Sequence, residues 1–161
     1  MLYMEMLYHV NEEDEVIGSI SREDAHNNMW LHRSGIVFLM NSFGKTFVTY
    51  RGDKPTFDHC NDSSVSFHYT YDEESEFGAR REMMEELSID ADLVYIGKFV
   101  HRDPPEYQVV HVYVCRTDEI PDVKEALYGE FHTHDEIDEI VRNNRITPWL
   151  RDGWRMIRNS I

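Results

Sequence analysis

Cysteine is nearly absent from this chain: Cys60 and Cys115 stand far apart, with no Cys-x-x-Cys spacing. That excludes a zinc ribbon or a dithiol redox motif and makes a reducing cytoplasm the expected setting. Basic residues are also scarce, 16 Lys and Arg against 31 Asp and Glu, for a formal net charge of -15. A broad cationic face for a nucleic-acid polymer is therefore not expected, because phosphate backbones demand clustered Lys and Arg. No apolar run approaches the roughly 20 residues of a membrane span. The opening Met1-Leu2-Tyr3-Met4-Glu5-Met6 carries an acid where an export signal carries basic residues, so neither export nor a membrane is expected. No repeat or low-complexity linker divides the 161 residues, of which 41% are hydrophobic and 12% aromatic. That composition predicts one domain with a real core over 1–161.

What the chain does contain is a concentration of acid. Arg81-Glu82-Met83-Met84-Glu85-Glu86-Leu87 places three carboxylates and an arginine within six positions. On a helix, Glu82, Glu85 and Glu86 occupy i, i+3 and i+4 and project from one face, with Phe77, Met83, Met84 and Leu87 expected on the other. Like charges at that spacing repel, so the helix gains if a divalent cation binds between them, and hard oxygen ligands suit Mg²⁺ or Mn²⁺. Gly78 and Ala79, one turn earlier, are expected on the side of the acids, where small residues admit a ligand or another backbone. A bound cation would also let an acidic protein take a phosphorylated small molecule.

Around this segment the pattern is α+β. Leu7 to Val10 and Glu15 to Ile20 read as a hairpin across Asn11-Glu12-Glu13-Asp14, and Ser21 caps a short helix. This N-terminal hairpin and helix occupies 1–30. His32 to Met40 and Thr46 to Arg51 form a second hairpin, turning at Gly44. Val65 to Tyr71 alternates as a strand that feeds the acidic helix, about Glu74 to Leu87. Leu93 to His101 and Gln108 to Cys115 pair across Asp103-Pro104-Pro105-Glu106, Tyr128 to Thr133 adds a strand, and helices fill 134–161, the last starting at Thr147-Pro148.

With those residues in view, the chain resembles a Nudix domain. That family's box runs Gly, five residues, Glu, seven residues, Arg-Glu, an aliphatic, one residue, Glu-Glu, one residue, Gly, then an aliphatic. Here Glu73, Arg81, Glu82, Met83, Glu85, Glu86 and Ile89 fill their slots within 67–89, while Phe67 and Ser88 replace the two glycines. The resemblance implies a Nudix fold, a mixed β-sheet flanked by helices in an α/β/α sandwich with an N-terminal β-hairpin. It implies metal ligands at Glu82, Glu85 and Glu86, catalytic roles for Glu73, Arg81 and Glu85, and a general base that is a box glutamate or one from a separate loop. The activity it implies is cleavage of a small-molecule diphosphate with Mg²⁺ or Mn²⁺.

Outside the box, Asn11 to Glu23, Leu31-His32-Arg33 and Thr147-Pro148-Trp149 are similar to the branch that includes type I isopentenyl diphosphate isomerase. That likeness implies a second metal site at His26, His32, His68 and Glu106, with Gln108 where a second glutamate belongs. The isomerase acid and base are a cysteine and a glutamate; the matching positions here hold Ser66 and Gln108. A hydroxyl is a far weaker acid than a thiol and an amide cannot act as a carboxylate base. Hydrolysis therefore ranks first, with isomerisation or binding without turnover as alternatives. Substrate contacts are expected from Arg51, Lys54, Ser66, Gln108 and Trp149. The hairpin edge is one a second copy of the chain could pair with.

Overall fold

In the computed structural model, which describes residues 5–161, two long apolar strands form the centre of the fold. Strand β3 (His32–Met40) runs parallel to β8 (Glu106–Arg116), in register from His32 opposite Gln108 to Met40 opposite Arg116. The remaining elements are β1 (Met6–Val10), β2 (Val16–Ser21), α1 (Arg22–Asn27), β4 (Thr46–Tyr50), β5 (Asn61–Asp62) and β6 (Val65–His68). They continue with α2 (Ser75–Leu87), β7 (Leu93–Asp103), β9 (Tyr128–His132), α3 (His134–Asn143) and α4 (Pro148–Ile157). The sheet runs β2-β1-β3-β4-β5, with β6 and β8 also joined to β3, β7 to β8 and β9 to β4. Residues 1–4 of the expected N-terminal unit lie outside the described residues.

Both faces of β3 and β8 are covered, which is why they read as continuous hydrophobic runs. Ile36, Phe38, Val110, Val112 and Val114 pack against Trp149, Leu150, Trp154 and Ile157 of α4 and Ile137 of α3. The alternate residues Val37, Leu39, Tyr113 and Cys115 pack against Ala79, Met83 and Leu87 of α2. This period of two places helices on either side of the sheet, an α/β/α arrangement. Ser21 caps α1 by accepting from Asp24 N at 3.1 Å, and Thr147 caps α4 ahead of Pro148. Among the described residues no helix is long and apolar enough to cross a membrane.

Two local expectations need correction. The strand at Val65 stops at His68 rather than Tyr71, because the backbone leaves β3 and bonds to β1 instead: Tyr71 N donates to Met6 O at 2.7 Å and Leu7 bridges to Thr70. Phe77 and Met84 are exposed. The buried arc of α2 runs through Ala79, Met83 and Leu87, four residues apart, and leaves those two on the solvent stripe. Gly78 does not open a path for a ligand; a Cβ there would lie 2.6 Å from Glu73 Oε1 and 2.9 Å from Tyr69 Cδ1, so its smallness admits these two side chains.

The two residues at the box glycine positions are accommodated differently. Ser88 takes the left-handed turn itself (φ 56°, ψ 36°), donating its N–H to Met84 O, at a cost of about 1 kcal/mol relative to an unstrained residue. Phe67 pairs across β6 and β3 with Gly35. A Cβ at Gly35 would lie 2.5 Å from Phe67 Cζ, so the missing glycine of one strand is matched by a glycine on its neighbour.

A half-buried hydrogen-bonded chain ties the N-terminal hairpin to the start of α2. Arg33 Nε donates to Asp14 Oδ1 at 2.8 Å, and His111 Nε2 lies 2.7 Å from Asp14 Oδ2. Ser75 Oγ lies 2.8 Å from His111 Nδ1, 2.8 Å from Tyr69 Oη and 2.6 Å from Tyr113 Oη. One consistent proton arrangement satisfies every atom: the tyrosines donate to Ser75, Ser75 to His111, and His111 to Asp14. Burial works against the Asp14 carboxylate, but the bonds from His111 and Arg33 outweigh it and hold its pKa at about 2.

Candidate metal centres and substrate cavity

Four residues from four elements converge beneath α1. His26 comes from α1, His32 from the start of β3, His68 from the end of β6 and Glu106 from the start of β8. One ligand atom from each lies within 4.8 Å of the others. His32 Nε2 is 3.0 Å and His68 Nε2 3.5 Å from Glu106 Oε2. His26 Nε2 is 2.6 Å from Glu106 Oε1 yet has no hydrogen-bond partner, since it lies off the line such a bond requires. His32 Nδ1 is 2.9 Å from the Trp30 carbonyl, which fixes the ring and leaves Nε2 facing its neighbours. Burial lowers the pKa of the His68 imidazole to about 4 despite the pull of Glu106. Burial disfavours the Glu106 carboxylate, but the three imidazoles of His26, His32 and His68 set against it hold it far below the usual range. Three imidazoles around one carboxylate, with an orphaned buried nitrogen among them, suit a divalent transition-metal ion.

Gln108 lies beside this group. Its Oε1 is 3.2 Å from Ser34 Oγ and 2.8 Å from His101 Nε2, while its Nε2 donates to Glu106 Oε2 and lies 3.0 Å from His68 Nε2.

The acidic helix presents a second arrangement. Arg81 grips Glu73 with two prongs, Nε to Oε2 at 2.6 Å and Nη2 to Oε1 at 3.0 Å. Its Nη1 reaches Glu82 at 3.0 Å and both oxygens of Glu85 at 3.1 Å. Glu85 is exposed and turned to this arginine, whereas Glu86 Oε2 is buried without a partner. Burial first, then the neighbouring Glu125 and Glu82, keeps the Glu86 carboxyl well above the usual carboxylate range. A buried oxygen with acids around it is a fit for Mg²⁺ or Mn²⁺.

Between the two arrangements lies a cavity of about 660 Å³. His26 lines one part of its wall and Glu86 another, with Arg22, Arg51 and Lys54 as its cations. A recess of about 70 Å³ adjoins it, sharing Ser66 and Arg51 and reaching Phe67, Gln108 and Trp149. All five expected substrate residues thus line this space. His132 and His134, a spacing weak for metal, have only distant carboxylates at 3.7 and 3.9 Å beside His132.

The full sequence supplies the comparison. It is 30% identical to isopentenyl-diphosphate Delta-isomerase 1 of Photorhabdus laumondii, across 94% of this chain and 93% of that protein. It is 32% identical to an uncharacterized Nudix hydrolase of Nostoc sp., across 93% of this chain and 88% of that one. The chain belongs to the Nudix superfamily. Within it the resemblance is to the isopentenyl-diphosphate-isomerase-like branch. No family model matches the sequence. Among solved structures, DR0079 from Deinococcus radiodurans superposes with a TM-score of 0.78 at 27% identity, covering 94% of this chain and 98% of that one. A MutT protein from Methanosarcina mazei, 16% identical with a TM-score of 0.70, shares the Nudix fold.

Three cavity residues of this Nudix chain were not evident from sequence. Asp62 is buried in β5 and receives Trp149 Nε1 at 2.7 Å, Thr147 Oγ1 at 3.1 Å, Ser63 N at 2.7 Å, Ser66 Oγ at 2.9 Å and Arg51 Nη1 at 3.4 Å. Its partners Thr147 and Trp149 are more than 80 residues away in the chain, so no local pattern signals it. Glu125 joins the wall from a loop that bonds to the end of α2 through Asp122 N and Lys124 N. Arg22 directly follows the Ser21 cap, a position its sequence neighbours do mark as a helix start.

Proposed function

We propose that this chain is a Mg²⁺- or Mn²⁺-dependent Nudix hydrolase that cleaves a diphosphate linkage in a nucleoside-diphosphate-type or related small molecule. The observation that carries the reading is at Ser66 and Gln108. Ser66 gives its proton to Asp62, and the Gln108 amide is used by Ser34, His101 and Glu106. Neither group can protonate an alkene carbon or take a proton from the opposite face. Of the box acids, Glu86 lines the same cavity.

In this reading Glu82, Glu85 and Glu86 hold the cation. A bound divalent ion supplies Lewis-acid stabilisation of a phosphoryl oxygen and a more acidic water. Arg22, Arg51 and Lys54 receive the charge of the diphosphate and orient it. Arg51 is preorganised for that task by donating to the Phe57 and Thr56 carbonyls at 2.9 and 3.0 Å. Arg81 and Glu73 fix the approach of the box carboxylates, so little reorganisation is required when the ligand binds. His26, His32, His68 and Glu106 are a second ion's ligands in the same reading.

The test is incubation of metal-replete protein with nucleoside diphosphate derivatives and isoprenoid diphosphates. Release of phosphate or a monophosphate is expected, and its disappearance in Glu86→Gln; a broad panel without turnover would refute the reading. The second reading is isomerisation, favoured by the His26, His32, His68 and Glu106 cluster and by the name of the Photorhabdus relative. Its signature is exchange of substrate protons with heavy water, and the hydrolase reading expects none.

A further inference from the structure

Ser66 lines both the larger cavity and the recess, at the place where the two adjoin. Among the described residues its hydroxyl makes one hydrogen bond, to Asp62 Oδ2 at 2.9 Å. That bond commits the serine's single proton, so its lone pairs are what it offers the cavity. Asp62 is held in that orientation from the other side. Trp149 Nε1, Thr147 Oγ1 and Ser63 N all donate to its Oδ1.

We propose that Ser66, polarised by Asp62, is a hydrogen-bond acceptor that selects ligands whose group next to the diphosphate carries a hydroxyl or N–H. A sugar or polyol fits that description and a bare hydrocarbon does not. This inference rests on the diphosphate-binding reading above and specifies what accompanies the diphosphate. The surroundings agree with it. The aromatic surface an alkyl chain would use is partly occupied, since the Arg51 guanidinium lies 5.6 Å over the Trp149 ring and the Phe57 ring meets it edge-on at 5.3 Å. Burying a hydrocarbon against Ser66 would leave the serine lone pairs without water or a donor, which is unfavourable.

A matched pair of ligands isolates this one contact: dimethylallyl diphosphate and its 4-hydroxy derivative, which differ by a single hydroxyl. Both are titrated calorimetrically into the full chain in the presence of Mg²⁺. The hydroxylated compound is expected to bind about tenfold more tightly, the worth of one well-placed hydrogen bond. That ratio should collapse toward one in Ser66→Ala. Equal affinities in the unmodified protein, or a preference that survives Ser66→Ala, overturn the proposal. Binding of inorganic pyrophosphate separates the two levels: equal affinities for the pair with pyrophosphate bound overturn only the selectivity. A protein that binds none of the three overturns the diphosphate reading as well.

Discussion

Gly35→Ala should destabilise the protein through Phe67, and Phe67→Ala should relieve it. The new Cβ would lie 2.5 Å from Phe67 Cζ, 3.1 Å from Phe67 Cε1 and 3.0 Å from Tyr69 Oη. The closest approach is well inside van der Waals contact, and Tyr69 is fully buried, so the ring has to move. Overpacking of this kind costs about 1–3 kcal/mol. For a chain of this length that lowers Tm by about 2–12 °C. Phe67→Ala alone should also destabilise, because it uncovers Gly35 and loses the edge-to-face contact with Tyr69 at 4.9 Å. In the double variant the two Phe67 contacts are gone and only the 3.0 Å approach to Tyr69 Oη remains. The cycle should therefore show a compensating interaction of at least about 0.5 kcal/mol, measured by urea unfolding of all four proteins. Strict additivity would refute the idea that Phe67, at a box glycine position, is accommodated by the glycine opposite.

Ser88→Gly should raise stability by about 0.5–1 kcal/mol, because glycine takes the left-handed turn without strain; an unchanged melting curve contradicts that. Arg81→Lys should lower turnover about 10- to 100-fold while changing Tm little, since lysine cannot reproduce the two-pronged bond to Glu73; steady-state kinetics beside a thermal melt separates the two. Mn²⁺ at about 100 times its dissociation constant should stabilise the fold by about 2.7 kcal/mol. His32→Ala should remove the part owed to the histidine cluster, as seen by differential scanning fluorimetry with and without chelator. Asp14 has a depressed folded pKa, about 2 against 3.8, so its stabilisation is present above pH 3.8 and fades as pH falls toward 2. Asp14→Asn should be less stable at neutral pH but lose less over that acid range, and parallel curves would count against the ion pair.

The box acids were legible because their spacing is a helical period and because their charge is otherwise hard to justify on one face. The His26, His32, His68 and Glu106 group was legible only through family likeness. Its members are separated by up to 80 positions; the pairing of β3 with β8 and with β6 brings His32, His68 and Glu106 together, and α1 adds His26. Periodicity put Phe77 and Met84 opposite the acids without showing that they are exposed, because it fixes which residues share a face but not which face meets the sheet. Asp62 escaped notice because a buried carboxylate in a polar stretch looks like any loop acid until its donors arrive from a distant helix.

The chain of bonds from Asp14 through His111 to Ser75 has a consequence for recombination with relatives. The N-terminal hairpin and the box helix share one proton arrangement, so they cannot be exchanged independently. A chimera that imports a foreign hairpin without an acid at position 14 would leave His111 without its acceptor and Ser75, the first residue of the box helix, without a fixed acceptor. Such a chimera should keep its sheet yet lose definition at the first turn of the box helix.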